Sequence, residues 1–391
     1  MKLRGVLTGG ALAAVGLSLI GCDDFRSHPK ASEAASNSAA APVAVAQATE
    51  PAPVRLQSPP ADEALDQAPN PTLAPRGSAA PAAKGIDAAT FSRGATLAQR
   101  RDLLIRAQVI LDRAHFSPGV IDGRDGSNFR RALAAFEAAR DAGVQPPAAT
   151  AALDASTWTT LSDADGAPVT QDYTITADDV KGPFLGTLPT SMAALAKLPR
   201  LGYATPVQAL AAKFHMDQGL LKALNPGADF SVAGTSLVVA RPGAGPLPAV
   251  ARLEVDKSAG QVRAYDDAGK VVAEFPDTVG STERPATSGL FAVKTVVANP
   301  DYTYDPSRLT FGNAAGGKLT LQPGPNNPVG STWIDLTIPT YGIHGAPDPT
   351  EIGKTASHGC VRMTNWDAAA LGKAVKKGTP VLFVGAAPRK V

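Results

Sequence analysis

A long stretch near the amino terminus, from Asp23 to about Ala89, limits where this chain can fold. It consists largely of alanine, proline, serine and glutamine, with almost no aromatic residues and no sustained periodicity. Such a composition cannot bury enough apolar surface to offset the entropy lost on ordering. We therefore predict a disordered tether over residues 22–94, and folded domains in the rest of the 391-residue chain.

The residues before this stretch have the pattern of an export signal. A basic start is followed by an apolar run over residues 6–20, which is short for a membrane span, and by Leu-Ile-Gly-Cys at residues 19–22. The Leu-x-Gly-Cys ending resembles the bacterial lipobox, which implies a signal peptide over residues 1–21 and a lipid on Cys22. The alternative is an ordinary signal peptide with an incidental cysteine.

The chain has only two cysteines. If Cys22 carries lipid, Cys360 has no disulfide partner within the chain in an oxidising compartment. An odd cysteine in an exported protein indicates either intermolecular pairing or a reactive thiol. The expected location is the periplasm, with an anchor in the inner or outer membrane, and a tethered monomer accounts for the pattern.

Beyond the tether, apolar residues recur at helical spacing in two runs, and a third helix is expected to begin near Asp154 or Ser156. We predict a small three-helix domain over residues 95–163. Its Asp122-Gly123 turn, the amphipathic helix after it and the closing Thr-Trp resemble the peptidoglycan-binding domain. A calcium loop is the alternative interpretation of the turn, but the bidentate glutamate is missing.

Residues 172–243 contain the pattern of two short helices and a valine-rich strand. The order helix, Leu-x-x-Leu-Asn-Pro-Gly, Gly-Thr-x-Leu-Val-Val resembles the later half of a LysM module, with its first strand disguised or interrupted by an insertion. This predicts an α+β LysM-like module, and a structural spacer is the alternative. His215 is interpreted as a packed surface residue and not as a ligand.

The character of the sequence changes to strands over residues 249–385. Seven valine- and threonine-rich segments are separated by glycine, aspartate and proline turns. One helix is expected near Trp366–Lys377, with Asn365 as its cap. The whole chain is therefore predicted to be multidomain, with a mostly β, sandwich or barrel-like domain after the helical domain and the LysM-like module.

Two of the five histidines, His344 and His358, lie close in sequence to Cys360. A cysteine attacks as its thiolate, and a neighbouring imidazole can take the proton and stabilise the negative charge. Gly359 allows the backbone to approach closely, as an oxyanion site built from amides requires. These residue types together indicate nucleophilic catalysis by a thiol.

The same region resembles the signature of the L,D-transpeptidase catalytic family. The resemblance covers His344-Gly345 and Ser-His-Gly-Cys-Val-Arg at residues 357–362, and extends to residues 327–330 and 341–343. It implies Cys360 as nucleophile, His344 as general base and His358 at the oxyanion site. Support for the base or the oxyanion is implied for Gly345, Ser357, Gly359 and Arg362.

The resemblance also implies the reaction. Such enzymes form a thioester with a tetrapeptide stem at its diamino acid, release D-alanine, and pass the acyl group to an amine of another stem, giving a 3-3 cross-link, or to a lipoprotein. The implied partners are peptidoglycan stem peptides, and carbapenem-type inhibitors are expected to bind. No cofactor or metal is expected, and the net charge of +2 gives no basic field for nucleic acid.

Three other functions are compatible with some of these sequence features. The two histidines and the cysteine could bind zinc, although the spacing is tight and no fourth ligand is evident. The chain could be a non-catalytic wall-binding protein. It could also be a carboxypeptidase or amidase that uses water as the acceptor, which the sequence does not separate from transpeptidation.

Overall fold

A computed structural model describes residues 79–140, 150–243, 245–280, 287–305, 317–355 and 359–385. The predicted signal peptide, Cys22 and most of the predicted tether lie outside these residues. The helices are α1 (Ala79–Asp87), α2 (Leu97–Arg113), α3 (Ser127–Arg140), α4 (Ala155–Ala164), α5 (Ala177–Val180), α6 (Met192–Leu195), α7 (Pro206–Lys213), α8 (Gln218–Leu224) and α9 (Asn365–Ala374).

The strands within the same residues are β1 (Thr170–Thr174), β2 (Ser236–Ala240), β3 (Arg252–Asp256), β4 (Gln261–Tyr265), β5 (Val271–Pro276), β6 (Thr278–Val279), β7 (Gly289–Ala298), β8 (Tyr302–Tyr304), β9 (Leu319–Leu321), β10 (Thr332–Leu336), β11 (Gly342–Gly345), β12 (Val361–Met363) and β13 (Pro380–Val384). No helix that the structure describes is long and apolar enough to cross a bilayer.

Helix α1 lies within residues 22–94, the predicted tether, so the ordered part of the chain begins earlier than the composition predicts. Ile86 is fully buried in a core with the later helices. The Asp87 carboxylate accepts hydrogen bonds from the Thr170 backbone at 3.0 Å and from its hydroxyl at 2.9 Å. Because these partners are more than 80 residues away in sequence, no local pattern could show that this segment is ordered.

Three longer helices follow, and side-chain caps fix the first turns of two of them, α2 and α4. Thr96 and Gln99 form a reciprocal capping box at the start of α2. Asp154, one of the two predicted caps, accepts from the Thr157 N–H at the start of α4. The apolar faces of α2 and α3 are buried, as the helical spacing of their leucines and phenylalanines indicates.

A small α/β module, residues 170–240, packs on these helices. Strands β1 and β2 pair antiparallel along five residues, and α7 and α8 lie between them in the chain. Residues 175–204, which we call the insert, separate β1 from α7 and contain α5 and α6. One hydrophobic core includes residues of the helical region and of this module, so the two predicted domains share their interior.

The carboxyl-terminal region forms the mostly β, barrel-like domain that the sequence predicts. Its nine strands have the order β5-β4-β3-β13-β7-β10-β11-β12-β6. The two edge strands, β5 and β6, are separated in sequence by Asp277 alone, so the sheet curves until its edges meet. Strands β6, β8, β11 and β12, which the sequence did not reveal, have only two to four residues each.

Helix α9 packs on β10 and β11, behind the strand that carries His344. Its N-cap is Thr364, whose hydroxyl accepts from the Asp367 N–H, and not the predicted Asn365. The helix ends at Ala374, three residues before the predicted end. The Asn365 side chain has different partners, which hold the loop around the candidate site.

The helical region and the β domain meet at a buried group of polar side chains. Ser117 Oγ donates to Asp367 Oδ2 at 3.0 Å. His215 stacks on Trp366 with centroids 4.9 Å apart and pairs with Asp112 at 3.0 Å. His215 is therefore packed, as predicted, but it lies largely buried between two other parts of the fold and not on the surface.

We expect Asp367 to make stability depend on pH. Burial raises the pKa of Asp367 to about 7, against the hydrogen bond of Thr364 and the charge of His215. The folded state therefore holds a proton that the unfolded chain releases near pH 4, and this stabilisation is lost as pH rises through 7. Replacing Asp367 by asparagine should remove up to about 4 kcal/mol of pH-dependent stability between pH 4 and 8.

Unfolding midpoints of both proteins across this pH range measure the effect. Asp267→Asn, on an exposed turn of the same domain, provides a matched loss of one carboxylate and should follow the wild type. Parallel pH profiles for wild type and Asp367→Asn would contradict the prediction.

Candidate active site

Two short parallel strands bring the candidate catalytic residues together. In the register of β11 and β12, His344 lies opposite Arg362 and Ile343 opposite Val361. Residues at matched positions of parallel strands point to the same face of a sheet. Cys360 immediately precedes β12, two residues before Arg362, so His344, Arg362 and Cys360 are neighbours at one end of this pair.

His344 is held as a neutral imidazole. It is 4% exposed, and its Nδ1 lies 2.7 Å from the Gly345 carbonyl oxygen. Burial and the positive charge of Arg362 lower the pKa of His344 to about 3, although the Gly345 carbonyl opposes them. Because Nδ1 faces an acceptor, it carries the proton, and the lone pair is left on Nε2. The site therefore contains a neutral imidazole whose Nε2 can accept a proton, which is the form that a general base requires.

Trp333 covers the other side of the imidazole. The two rings stack with centroids 5.5 Å apart and planes 20° apart. A Cβ on Gly342 would lie 2.6 Å from the indole, so only glycine leaves room for Trp333 in this position. The indole is 6% exposed and its Nε1 has no hydrogen-bond partner. The packing of His344 is thus apolar on this face, which is one source of its low pKa.

Cys360 is partly exposed and forms no disulfide. Its Sγ lies 4.0 Å from the Thr340 carbonyl oxygen. Gly359 has a φ of 124°, a backbone conformation that side chains disfavour, and its carbonyl accepts a hydrogen bond from the Tyr341 hydroxyl. The Tyr341 hydroxyl, from the residue before β11, therefore fixes the peptide that precedes the thiol.

Arg362 supplies the positive charge next to the thiol. Burial lowers the pKa of Arg362, while the negative forms of Cys360 and Tyr302 oppose this shift. A guanidinium stays charged in proteins, and a cation beside a thiol favours its thiolate form. Because His344 is neutral, it cannot stabilise a thiolate by its charge. Among the described residues of the site, Arg362 is the cation that can do so.

Asn365 joins the loop at residues 323–331 to the His344 strand. Its Oδ1 accepts from the Ser331 N–H at 2.9 Å, and its Nδ2 donates to the Pro325 carbonyl at 3.0 Å. A Cβ on Gly330 or on Gly345 would lie 2.2 Å from that Oδ1. These two glycines are therefore required for close packing, and Asn365 was interpreted from sequence only as a helix cap.

The structure describes five of the predicted site residues. They lie together and are Cys360, His344, Gly345, Gly359 and Arg362. Ser357 and His358 fall within residues 356–358, outside the described residues. No group of three or more His, Cys, Asp or Glu side chains among the described residues has the arrangement of a metal site.

A thiol next to a neutral, buried imidazole and a guanidinium, on a barrel-like β domain, places the protein among candidate cysteine acyltransferases. Residues 251–382 match the family model of the YkuD L,D-transpeptidase catalytic domain. The chain is 30% identical to putative L,D-transpeptidase YqjB of Bacillus subtilis over 146 residues, which are 36% of this chain and 75% of that protein. The chain belongs to the L,D-transpeptidase family.

Other proteins are similar to the same region. Putative L,D-transpeptidase YkuD of Bacillus licheniformis is 29% identical over 178 residues, which cover 45% of this chain and 91% of that protein. Among solved structures, the catalytic domain of the E. faecium L,D-transpeptidase shares 25% identity over 34% of this chain and 96% of that chain, with a TM-score of 0.27.

Proposed function

We propose that this protein is a cysteine L,D-transpeptidase that forms a thioester between Cys360 and the diamino acid of a peptidoglycan tetrapeptide stem, and releases D-alanine. Family membership implies cross-linking of peptidoglycan. The observation that carries the finer assignment is the neutral His344, oriented by the Gly345 carbonyl, on the strand next to the one that follows Cys360.

In the first half-reaction, the Cys360 sulfur forms a bond to the carbonyl carbon between the diamino acid and D-alanine. Its proton passes to His344 Nε2, which then protonates the leaving amine as the carbon–nitrogen bond breaks. D-Alanine leaves and a thioester remains. Arg362 stabilises negative charge at the sulfur before attack, and amides around Gly359 and Cys360, with His358, stabilise the oxyanion.

In the second half-reaction, an acceptor amine attacks the thioester carbon and gives its proton to His344. The carbon–sulfur bond breaks, and His344 passes the proton to the sulfur, which restores the thiol. We propose another stem as acceptor, which gives a 3-3 cross-link, with a lipoprotein amine as a further candidate. Water in the acceptor's place would make the enzyme a carboxypeptidase, with the same first half-reaction.

The test is incubation of the protein with a disaccharide-tetrapeptide, followed by mass spectrometry of the products. We expect release of D-alanine and formation of a cross-linked dimer. A disaccharide-tripeptide without dimer would assign water as the acceptor. No release of D-alanine by folded protein would refute the proposed function.

We further propose that the enzyme is periplasmic and lipid-anchored through Cys22, and that the helical region and the LysM-like module bind peptidoglycan. The lipobox pattern supports the anchor. The antiparallel β1–β2 pair, with α7 and α8 between its strands, supports the LysM-like interpretation. Cys22→Ser should move the protein from the membrane fraction to the soluble fraction, and an unchanged distribution would refute the anchor.

A further inference from the structure

The insert of the small α/β module reaches the loop that supports the candidate base. Leu201, fully buried, donates its N–H to the Pro323 carbonyl at 3.0 Å. Its own carbonyl accepts from the Asn326 N–H at 3.0 Å. Two main-chain hydrogen bonds in opposite directions make this a strand-like contact between the insert and the β domain.

Gly324 shows how closely the two segments approach. A Cβ at this position would lie 2.1 Å from the Leu201 carbonyl oxygen and 2.4 Å from its carbon. Both atoms belong to the backbone and cannot rotate away, so any side chain at residue 324 would force the segments apart. The loop therefore accommodates the insert only because glycine occupies this position.

A reciprocal pair of amides lies next to this contact. Gln208 Nε2 donates to Asn326 Oδ1, and Asn326 Nδ2 donates to Gln208 Oε1, each at 3.1 Å. Asn326 Nδ2 also donates to the Gly202 carbonyl at 2.7 Å. Asn326 is 6% exposed, so its amide would be costly to leave without these partners.

Gln208 is itself fixed in place. Its Oε1 accepts from the Ala204 N–H at 2.7 Å, and its N–H donates to the hydroxyl of the α7 N-cap, Thr205. The amide that Gln208 presents to Asn326 is thus oriented by the first turn of α7. It lies outside residues 251–382, the extent of the catalytic domain.

The other side of the same loop contacts Gly345, the residue after the candidate base. Pro325, adjacent to Asn326, accepts from Asn365 Nδ2, and the Oδ1 of Asn365 lies against Gly345. A Cβ on Gly330 would lie 2.5 Å from the Gly345 carbonyl carbon. Gly345 O is the acceptor for His344 Nδ1. A displacement of the loop would therefore move the group that orients His344.

We infer that Gln208 is a positioning residue for the reaction: through Asn326 it holds the 323–331 loop, and through that loop the Gly345 carbonyl that orients His344. The role rests on the proposed function. In this role, the α/β module before the catalytic domain helps to hold the loop that positions His344. The amide pair has two members, Gln208 and Asn326, and the separate removal of either should have the same consequence.

The test compares Gln208→Ala, Asn326→Ala and the double variant in the full chain. We expect kcat for D-alanine release to fall between about 10- and 100-fold in each, since small displacements of a catalytic group have effects of this size. KM should stay within about twofold, because the substitutions act on the orientation of His344 and not on a residue assigned to bind the stem. The double variant should be no slower than either single variant.

Gln208→Glu is the conservative variant, because it keeps the shape of the side chain and the acceptor for Ala204 and for Asn326 Nδ2, while it replaces the donor to Asn326 Oδ1 by a carboxylate oxygen. Its kcat should be higher than that of Gln208→Ala but clearly below that of the wild type, so it decides the outcome if the alanine variants do not fold. Arg113→Ala is the control for general stability: Arg113 binds the Arg241 and Pro168 carbonyls, away from the loop. It should lower the unfolding midpoint and leave kcat unchanged.

A second readout does not depend on turnover. With 15N-labelled histidine, the Nδ1–H of His344 should give a hydrogen-bonded resonance that shifts or broadens in Gln208→Ala and not in Arg113→Ala. Wild-type kcat in folded Gln208 variants, or an unchanged His344 resonance, would overturn the inference. If the wild type releases no D-alanine, the proposed function fails, and the resonance alone decides whether Gln208 positions the imidazole.

Discussion

Replacing Cys360 by alanine is expected to eliminate D-alanine release, with a loss of at least about 10⁴-fold in kcat, because no other group can take the place of a nucleophile that forms the covalent intermediate. The intact protein should also lose its ability to gain the mass of a carbapenem. Both measurements use the same preparation, with product release and protein mass followed by mass spectrometry.

The chain offers a matched control in its other cysteine. Cys22→Ala changes the other cysteine of the chain, which is outside residues 251–382 of the catalytic domain, and should retain D-alanine release. Release by the Cys360→Ala variant at a rate near that of the wild type would exclude Cys360 as nucleophile. An adduct in that variant would show that another side chain reacts.

Replacing His344 by alanine is expected to lower the rate of acylation by about 10²- to 10⁴-fold, which is the usual contribution of a general base. The imidazole is buried between Trp333 and the Gly345 carbonyl, so a substitution also leaves space in the core. His344→Gln fills most of that space and should be equally slow. A fast His344→Gln variant with wild-type stability would contradict the assignment of the base.

From the lowered pKa of His344 we expect an unusual pH dependence of the acylation rate. Burial and the charge of Arg362 lower the pKa of His344 to about 3, so the base is unprotonated at all pH values above about 4. The acylation rate should therefore show no inflection near pH 6.5, where an ordinary histidine gains its proton. Arg362→Gln removes the second of the two causes and should move the acid limb toward neutral pH. A wild-type inflection near pH 6.5 would refute the neutral, buried state of His344.

The residue types of the candidate site could be predicted from sequence, but the strands that carry them could not. A lone cysteine close to two histidines and several glycines is chemically unusual enough to be noticed. Strand β11 reads Gly-Ile-His-Gly and β12 Val-Arg-Met. Such short segments have no periodicity, and they are strands because neighbouring strands supply their hydrogen bonds.

The roles of Asn365 and Gln208 also could not be predicted from the sequence, for two different reasons. Both Thr364 and Asn365 are good N-cap residues, so local propensity cannot choose between them. Thr364 is the cap because the amide of Asn365 is bound to Pro325 and Ser331. Gln208 and Asn326 are 118 residues apart, and nothing in either local pattern indicates that they meet.

The edge strand β5 has a consequence for fragments of this protein. The outer side of β5 is covered by residues 115–117: Ser117 donates its N–H to the Glu274 carbonyl, and Glu274 donates its N–H to the His115 carbonyl. A fragment that begins at residue 249 would expose this strand's unpaired N–H and C=O groups, which are a template for aggregation. The helical region therefore protects the edge of β5 from pairing with other chains. The catalytic domain is best produced together with it.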